Sequence, residues 1–140
     1  MVRIFKDVPL VLEPTESDDA DFYVTKATEE EVLNQIYNDL VNNRAYAPSF
    51  SFPTVEQNKG RASKAAYDAL LADISLWRFD YNAVIEHVNK IEANERIVLL
   101  PGGKWFELFY PGNSLEGIFE FQFDGDLNQL NAMYGKTNRN

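Results

Sequence analysis

The most constraining feature of this chain is a pair of helical patterns with almost nothing between them. Residues 61–78 carry Ala62, Ala65, Ala66, Ala69, Asp73, Leu76 and Trp77 on one side, with Leu70, Leu71 and Ile74 widening the stripe. Residues 81–92 carry Tyr81, Val84, Ile85, Val88 and Ile91 at the same period. Asp80 stands where an N-cap belongs, so the turn is only about two to three residues long. Two helices joined so tightly must lie antiparallel and side by side. The alanines of the first helix allow its neighbour to approach closely, because small side chains shorten the interaxial distance.

A third helix is expected over 29–43. Thr28 and Glu31 have the spacing of a capping box, and Glu29, Glu30 and Glu31 lie at the positive end of the helix dipole. Val32, Leu33, Ile36, Tyr37, Leu40 and Val41 form its apolar stripe. Ahead of it, residues 2–12 read as a last helical turn ending near Lys6, then an extended segment held by Pro9. Residues 13–27 read as an acidic linker, and 44–58, with Pro48 and Pro53, as a loop. After the hairpin, residues 104–110 suit a short helix. Residues 115–123 alternate, with Phe119, Phe121 and Phe123 on one face, and read as a half-buried strand whose partner is 96–100, is 7–12 or is missing from this chain. The chain is therefore expected to be mainly α with a minor β element: a helical part over 28–93, then a loop, short helix and strand over 94–140.

Composition removes several functions. There is no cysteine, so disulfides, thiolate metal sites and cysteine nucleophiles are excluded. The lone His87 cannot supply a site that needs two imidazoles, and it is expected to be partly exposed with no catalytic role. The formal charge of −9 argues against nucleic acid as the main partner. No apolar run approaches the ~20 residues of a membrane-spanning helix. The sequence MVRIFKDVPLVL has none of the regions of a signal peptide. Asp124, Asp126 and Asn128 have the alternate spacing of a calcium loop, but Gln129 and Gly135 stand where that loop needs Gly and Glu, so a solvated acidic turn is expected. Gly102-Gly103-Lys104 lacks the first glycine and the hydroxyl residue of a P-loop. No cofactor, metal or catalytic residue is expected, and the chain is read as not an enzyme.

A two-helix unit with small residues in its first helix and an aspartate-tyrosine turn is the tetratricopeptide pattern. Here it runs from Ala66 through Asp80-Tyr81-Asn82-Ala83 to Val88. One unit is clear, whereas about three are usually needed to bury their faces. Five segments in order then carry a more specific resemblance. They are Val2–Val11, the helix from Thr28 to Leu40, Gly60-Arg61-Ala62-Ser63-Lys64-Ala65-Ala66, the hairpin, and Glu116-Gly117-Ile118-Phe119-Glu120-Phe121-Gln122-Phe123. Together they resemble the SusD/RagB family of glycan-binding outer-membrane lipoproteins. Lys6 departs from the family's usual Gly, and Phe79 from its small or polar residue.

The resemblance implies a central fragment of the family pattern, because family members are several times longer. It implies an outer-membrane, cell-surface parent that binds oligosaccharide or polysaccharide and hands it to a TonB-dependent, SusC-like transporter. This piece would then be mainly scaffold. Trp77 is expected in the core between the hairpin helices rather than under a sugar, and most of Trp105, Phe106, Phe109 and Tyr110 are expected to pack in a second cluster. Tyr134, in the polar tail, is the candidate for glycan contact. The alternative is a stand-alone tetratricopeptide-like module binding a protein partner, and a weaker third reading is a fragment of a carbohydrate-active enzyme. A hairpin without stacking neighbours exposes apolar faces, so self-association is expected.

Overall fold

The computed structural model describes residues 2–14, 23–110 and 112–122. In chain order the elements are α1 (Val2–Phe5), β1 (Val8–Pro9), β2 (Lys26–Ala27), α2 (Glu29–Asn43), a 3₁₀ turn (Arg44–Tyr46), α3 (Val55–Lys59), α4 (Lys64–Trp77), α5 (Tyr81–Glu92) and a 3₁₀ segment (Gly102–Leu108). The architecture is mainly α, as the hydrophobic periods require.

Local chemistry sets the helix ends. The Thr28 hydroxyl accepts from the Glu31 N–H at 3.2 Å, and the Glu31 carboxylate accepts from the Thr28 N–H at 2.8 Å. Both halves of the capping box are thus made, and α2 begins where the sequence says it should. α4 begins at Lys64, three residues later than expected, because Ser63 is its cap and accepts from the Ala66 N–H. α3 begins inside the expected loop and runs one residue past it. Thr54 caps it through the Gln57 N–H, and the Asn58 side chain ties back to both backbone groups of Phe52.

The corner between α4 and α5 is built from backbone hydrogen bonds. The Asp80 N–H donates to the Ser75 carbonyl at 2.9 Å, and the Phe79 N–H to the Leu76 carbonyl at 3.1 Å. This is a Schellman motif, with Phe79 at φ +60° in the position that glycine usually takes. Asp80 closes α4 and also caps α5, accepting from the Ala83 N–H at 3.1 Å.

α4 packs against α5 and α2, and α1 rests on α2. Among the described residues the buried apolar side chains are Val32, Leu33, Ala65, Leu71, Ala72 and Ile74. The α4 face that meets its neighbours is therefore rotated from the expected one. Ala65, Ala72 and Ser75 supply the small contact residues, while Leu76 and Trp77 stay partly exposed. On α5 only His87 is fully buried, and Tyr81, Ile85 and Val88 face outward. His87 is 6% exposed, which corrects the expectation of a half-exposed residue. The physical reason is its acid partner on α4, described below.

The β element is a two-residue antiparallel ladder, Val8 opposite Ala27 and Pro9 opposite Lys26. The expected strand over 115–123 is not one within its described part. Residues 118–122 run without a ladder, and a turn from Ser114 to Gly117 bends the chain before them. Carboxylates do part of the work of a partner strand. Glu116 accepts from the Leu100 N–H at 3.0 Å, and Glu120 accepts from the Asn113 N–H at 2.7 Å. The alternation survives as an edge-to-face contact between Phe119 and Phe121.

Candidate functional site

α1, the amino end of α2 and the carboxyl end of α4 enclose a groove of about 1000 Å³. Trp77 is its centre. The indole N–H donates to Glu29 at 2.7 Å, and the other oxygen of Glu29 accepts from the Lys6 ammonium at 2.9 Å. The Arg3 guanidinium lies 4.9 Å from the ring centroid and also pairs with Asp73, one turn back along α4. The Lys6 ammonium lies 5.4 Å from the same centroid. Both cations are within cation–π range of the ring. Lys6 is at φ +60°, the left-handed conformation that a glycine takes easily, and its ammonium contacts help offset that cost. The Lys6 and Trp77 hydrogen bonds hold the Glu29 carboxyl below its usual range.

Trp77 is 39% exposed, so the expectation of a core tryptophan is corrected. It sits on the rim of the helix bundle because the α4 face toward α5 is taken by smaller side chains. An aromatic surface ringed by charged donors and acceptors can hold a polyhydroxylated ligand by stacking and hydrogen bonds. It is also the fastening that holds α1 to the bundle.

A second polar cluster is buried. Asp68 on α4 is 1% exposed. Its two oxygens accept from Arg44 Nε at 2.7 Å and Arg44 Nη2 at 2.6 Å, a bidentate pair. His87 Nδ1 lies 3.0 Å from Oδ1, and because an ionised carboxylate only accepts, this nitrogen carries the hydrogen. Burial pushes the Asp68 carboxyl up, but the hydrogen bonds from Arg44 and His87 outweigh it and hold the carboxyl below its usual range. In turn, the bonds to Asp68 raise the Arg44 guanidinium. Asp68 carries no signal of this role in the sequence. Its partners lie 24 residues before it and 19 after, a separation that no local pattern reveals.

The remaining aromatic candidates lie elsewhere. Trp105, Phe106 and Phe109 contact one another edge to face, at 5.4–6.5 Å between ring centroids. They are nevertheless 57–68% exposed, so this cluster is a surface patch rather than the expected packed core. Tyr110 is exposed too. Tyr134 and the Asp124–Asn128 turn lie outside the described residues.

These features define a helical-hairpin scaffold with a polar and aromatic groove at one end. No family model matches the sequence. The chain is 26% identical to SusD-like protein P2 of Formosa agariphila, in an alignment covering 97% of this chain and 26% of that protein. The crystal structure of a SusD-like carbohydrate-binding protein from Bacteroides fragilis superimposes with a TM-score of 0.71, at 26% identity, over 87% of this chain and 24% of that one. In sequence and in fold the chain is similar to these two proteins along most of its own length. It spans about a quarter of the length of each of these relatives.

Proposed function

We propose that this chain is the scaffold portion of a SusD-like glycan-binding protein of the outer-membrane surface, one that passes oligosaccharide to a TonB-dependent, SusC-like transporter. The observation that carries this reading is the shared fold with a carbohydrate-binding protein at a TM-score of 0.71. In this reading residues 28–93 serve as the helical scaffold, and Tyr134 contributes an aromatic face to the glycan. The protein binds its ligand and performs no chemistry on it.

The test uses the full-length natural protein on a glycan array, with a parallel co-purification from detergent-solubilised membranes. The expected result is binding to a defined glycan and recovery of a TonB-dependent transporter. Absence of any glycan binding sinks the reading. Recovery of glycan without transporter removes the hand-off and leaves binding. Tyr134→Ala is expected to weaken the glycan signal without changing the melting temperature.

A second reading rests on the outward α5 stripe of Tyr81, Ile85 and Val88, the kind of surface that a tetratricopeptide-like module offers to a peptide. A peptide partner bound by this chain, in the absence of any glycan binding, would establish it.

A further inference from the structure

The end of the bundle opposite Trp77 holds a different concavity. The carboxyl end of α2, the amino end of α4 and the carboxyl end of α5 converge there with the segment that follows α5, around a cavity of about 480 Å³. Each brings a cation: Arg44, Lys64, Lys90 and Arg96. In a chain with a formal charge of −9, four cations around one cavity reverse the local sign.

What matters is how many of these charges are already committed. Arg44 is spent on Asp68, and Lys90 pairs with Glu86 on its own helix at 2.6 Å. Lys64 and Arg96 form no ion pair among the described residues, although Glu95 shares the lining. Asp68 offers a ligand little repulsion, because the Arg44 guanidinium already balances its charge and His87 occupies Oδ1 with a hydrogen bond. An anion entering the cavity therefore meets two cations that no carboxylate holds, Arg96 keeping one long hydrogen bond, 3.5 Å, from Nη1 to the Phe52 carbonyl.

The rest of the lining is not that of a bare ion site. Phe50 is half-buried in it, and Ser49 adds a hydroxyl. Asn94 accepts from the Arg96 N–H through its carbonyl oxygen, so its amide hydrogens remain available to donate. An apolar ring face beside hydroxyl and amide groups suits a pyranose, and the volume lies within the ~300–1,000 Å³ of small-ligand pockets.

We propose that this cavity binds an acidic saccharide, a sugar bearing a carboxylate or sulfate, with Lys64 and Arg96 holding the anionic group. The proposal deepens the glycan-binding reading above and rests on it.

Isothermal titration of the 140-residue chain tests it with four probes. These are trigalacturonate, its methyl ester, a sulfated galactan tetrasaccharide and sodium sulfate. At least one acidic oligosaccharide is expected to bind, the methyl ester at least about tenfold more weakly than the free acid if the group is a carboxylate. Affinity should fall as salt rises from about 20 mM to about 300 mM. Lys64→Gln and Arg96→Gln should each weaken binding about tenfold with unchanged melting, while Lys26→Gln, on β2, should not.

Preference for the tetrasaccharide over trigalacturonate assigns sulfate, and the reverse assigns carboxylate. Equal binding of acid and ester with no sulfated ligand bound, binding of free sulfate alone, or wild-type affinity in both pocket variants overturns the proposal. If the full-length protein binds neutral glycans and these tests fail, the inference falls alone. If it binds no glycan, the reading beneath it falls too.

Discussion

Replacing Asp68 by Asn removes one charge from the bundle and almost no volume, so it isolates the electrostatics of the buried cluster. In the native chain the carboxylate accepts three hydrogen bonds while 1% exposed. Breaking a buried pair from one side typically costs ~3–5 kcal/mol, since the surviving charge is left without its partner. Here the surviving Arg44 side chain is 31% exposed and can recover some hydration, which favours the lower end, about 3 kcal/mol. For a domain near this size that corresponds to a fall of about 6–12 °C in melting temperature. In urea it corresponds to a midpoint lower by about 1.5 M.

Thermal and urea unfolding followed by far-ultraviolet circular dichroism would measure both. Arg44→Met completes a double-mutant cycle, in which the two changes together should cost at least about 1 kcal/mol less than their sum. An Asp68→Asn variant within about 1 kcal/mol of wild type, or strict additivity in the cycle, would refute the reasoning.

Acid should destabilise the chain in a narrow window. The Asp68, Glu29 and Glu31 carboxyls are all held below their ordinary values of 3.8 and 4.5, so the unfolded chain takes up protons first. Their stabilisation is complete above the unfolded-state values and is lost as pH falls through the lowered ones. Melting temperature should therefore be level down to about pH 5 and drop below about pH 4, less steeply in Asp68→Asn. Thr28→Ala breaks the capping box and should cost about 1 kcal/mol in urea unfolding, with helix content otherwise kept. The outward stripe of Tyr81, Ile85 and Val88 should drive concentration-dependent self-association in sedimentation velocity, and Ile85→Glu should abolish it. A strictly monomeric wild type at high concentration would count against that surface.

The sequence makes the helices legible because their ends are written in short range. The Thr28–Glu31 box and the Asp80 cap each depend on residues three apart. α3 carried a similar signal, Thr54 with Gln57 three residues on, hidden directly after Pro53. The buried face of α4 was not legible, because the alanines spread around more than one side of that helix. Only docking against α5 decides that Ala65 and Ala72 go inside while Trp77 stays at the rim. Asp68 in an alanine-rich helix looks like a solvent residue until Arg44 and His87 are brought to it from two other elements. The alternation of residues 115–123 was real, but a strand also needs a neighbour in register. Here Glu116 and Glu120 satisfy nearby backbone with side chains instead.

The corner at residues 78–80 has a consequence for which sequence changes this fold can absorb. Asp80 ends one helix and starts the next, so the hairpin has no spare residue in its turn. One inserted residue would either break the Schellman bonds or turn α5 about its axis by roughly 100°. That rotation would carry His87 away from Asp68 and leave the carboxylate with one partner fewer. The tolerance to insertion that most surface loops enjoy is therefore withdrawn at this corner, and length variation in this fold is directed to the connections outside the hairpin.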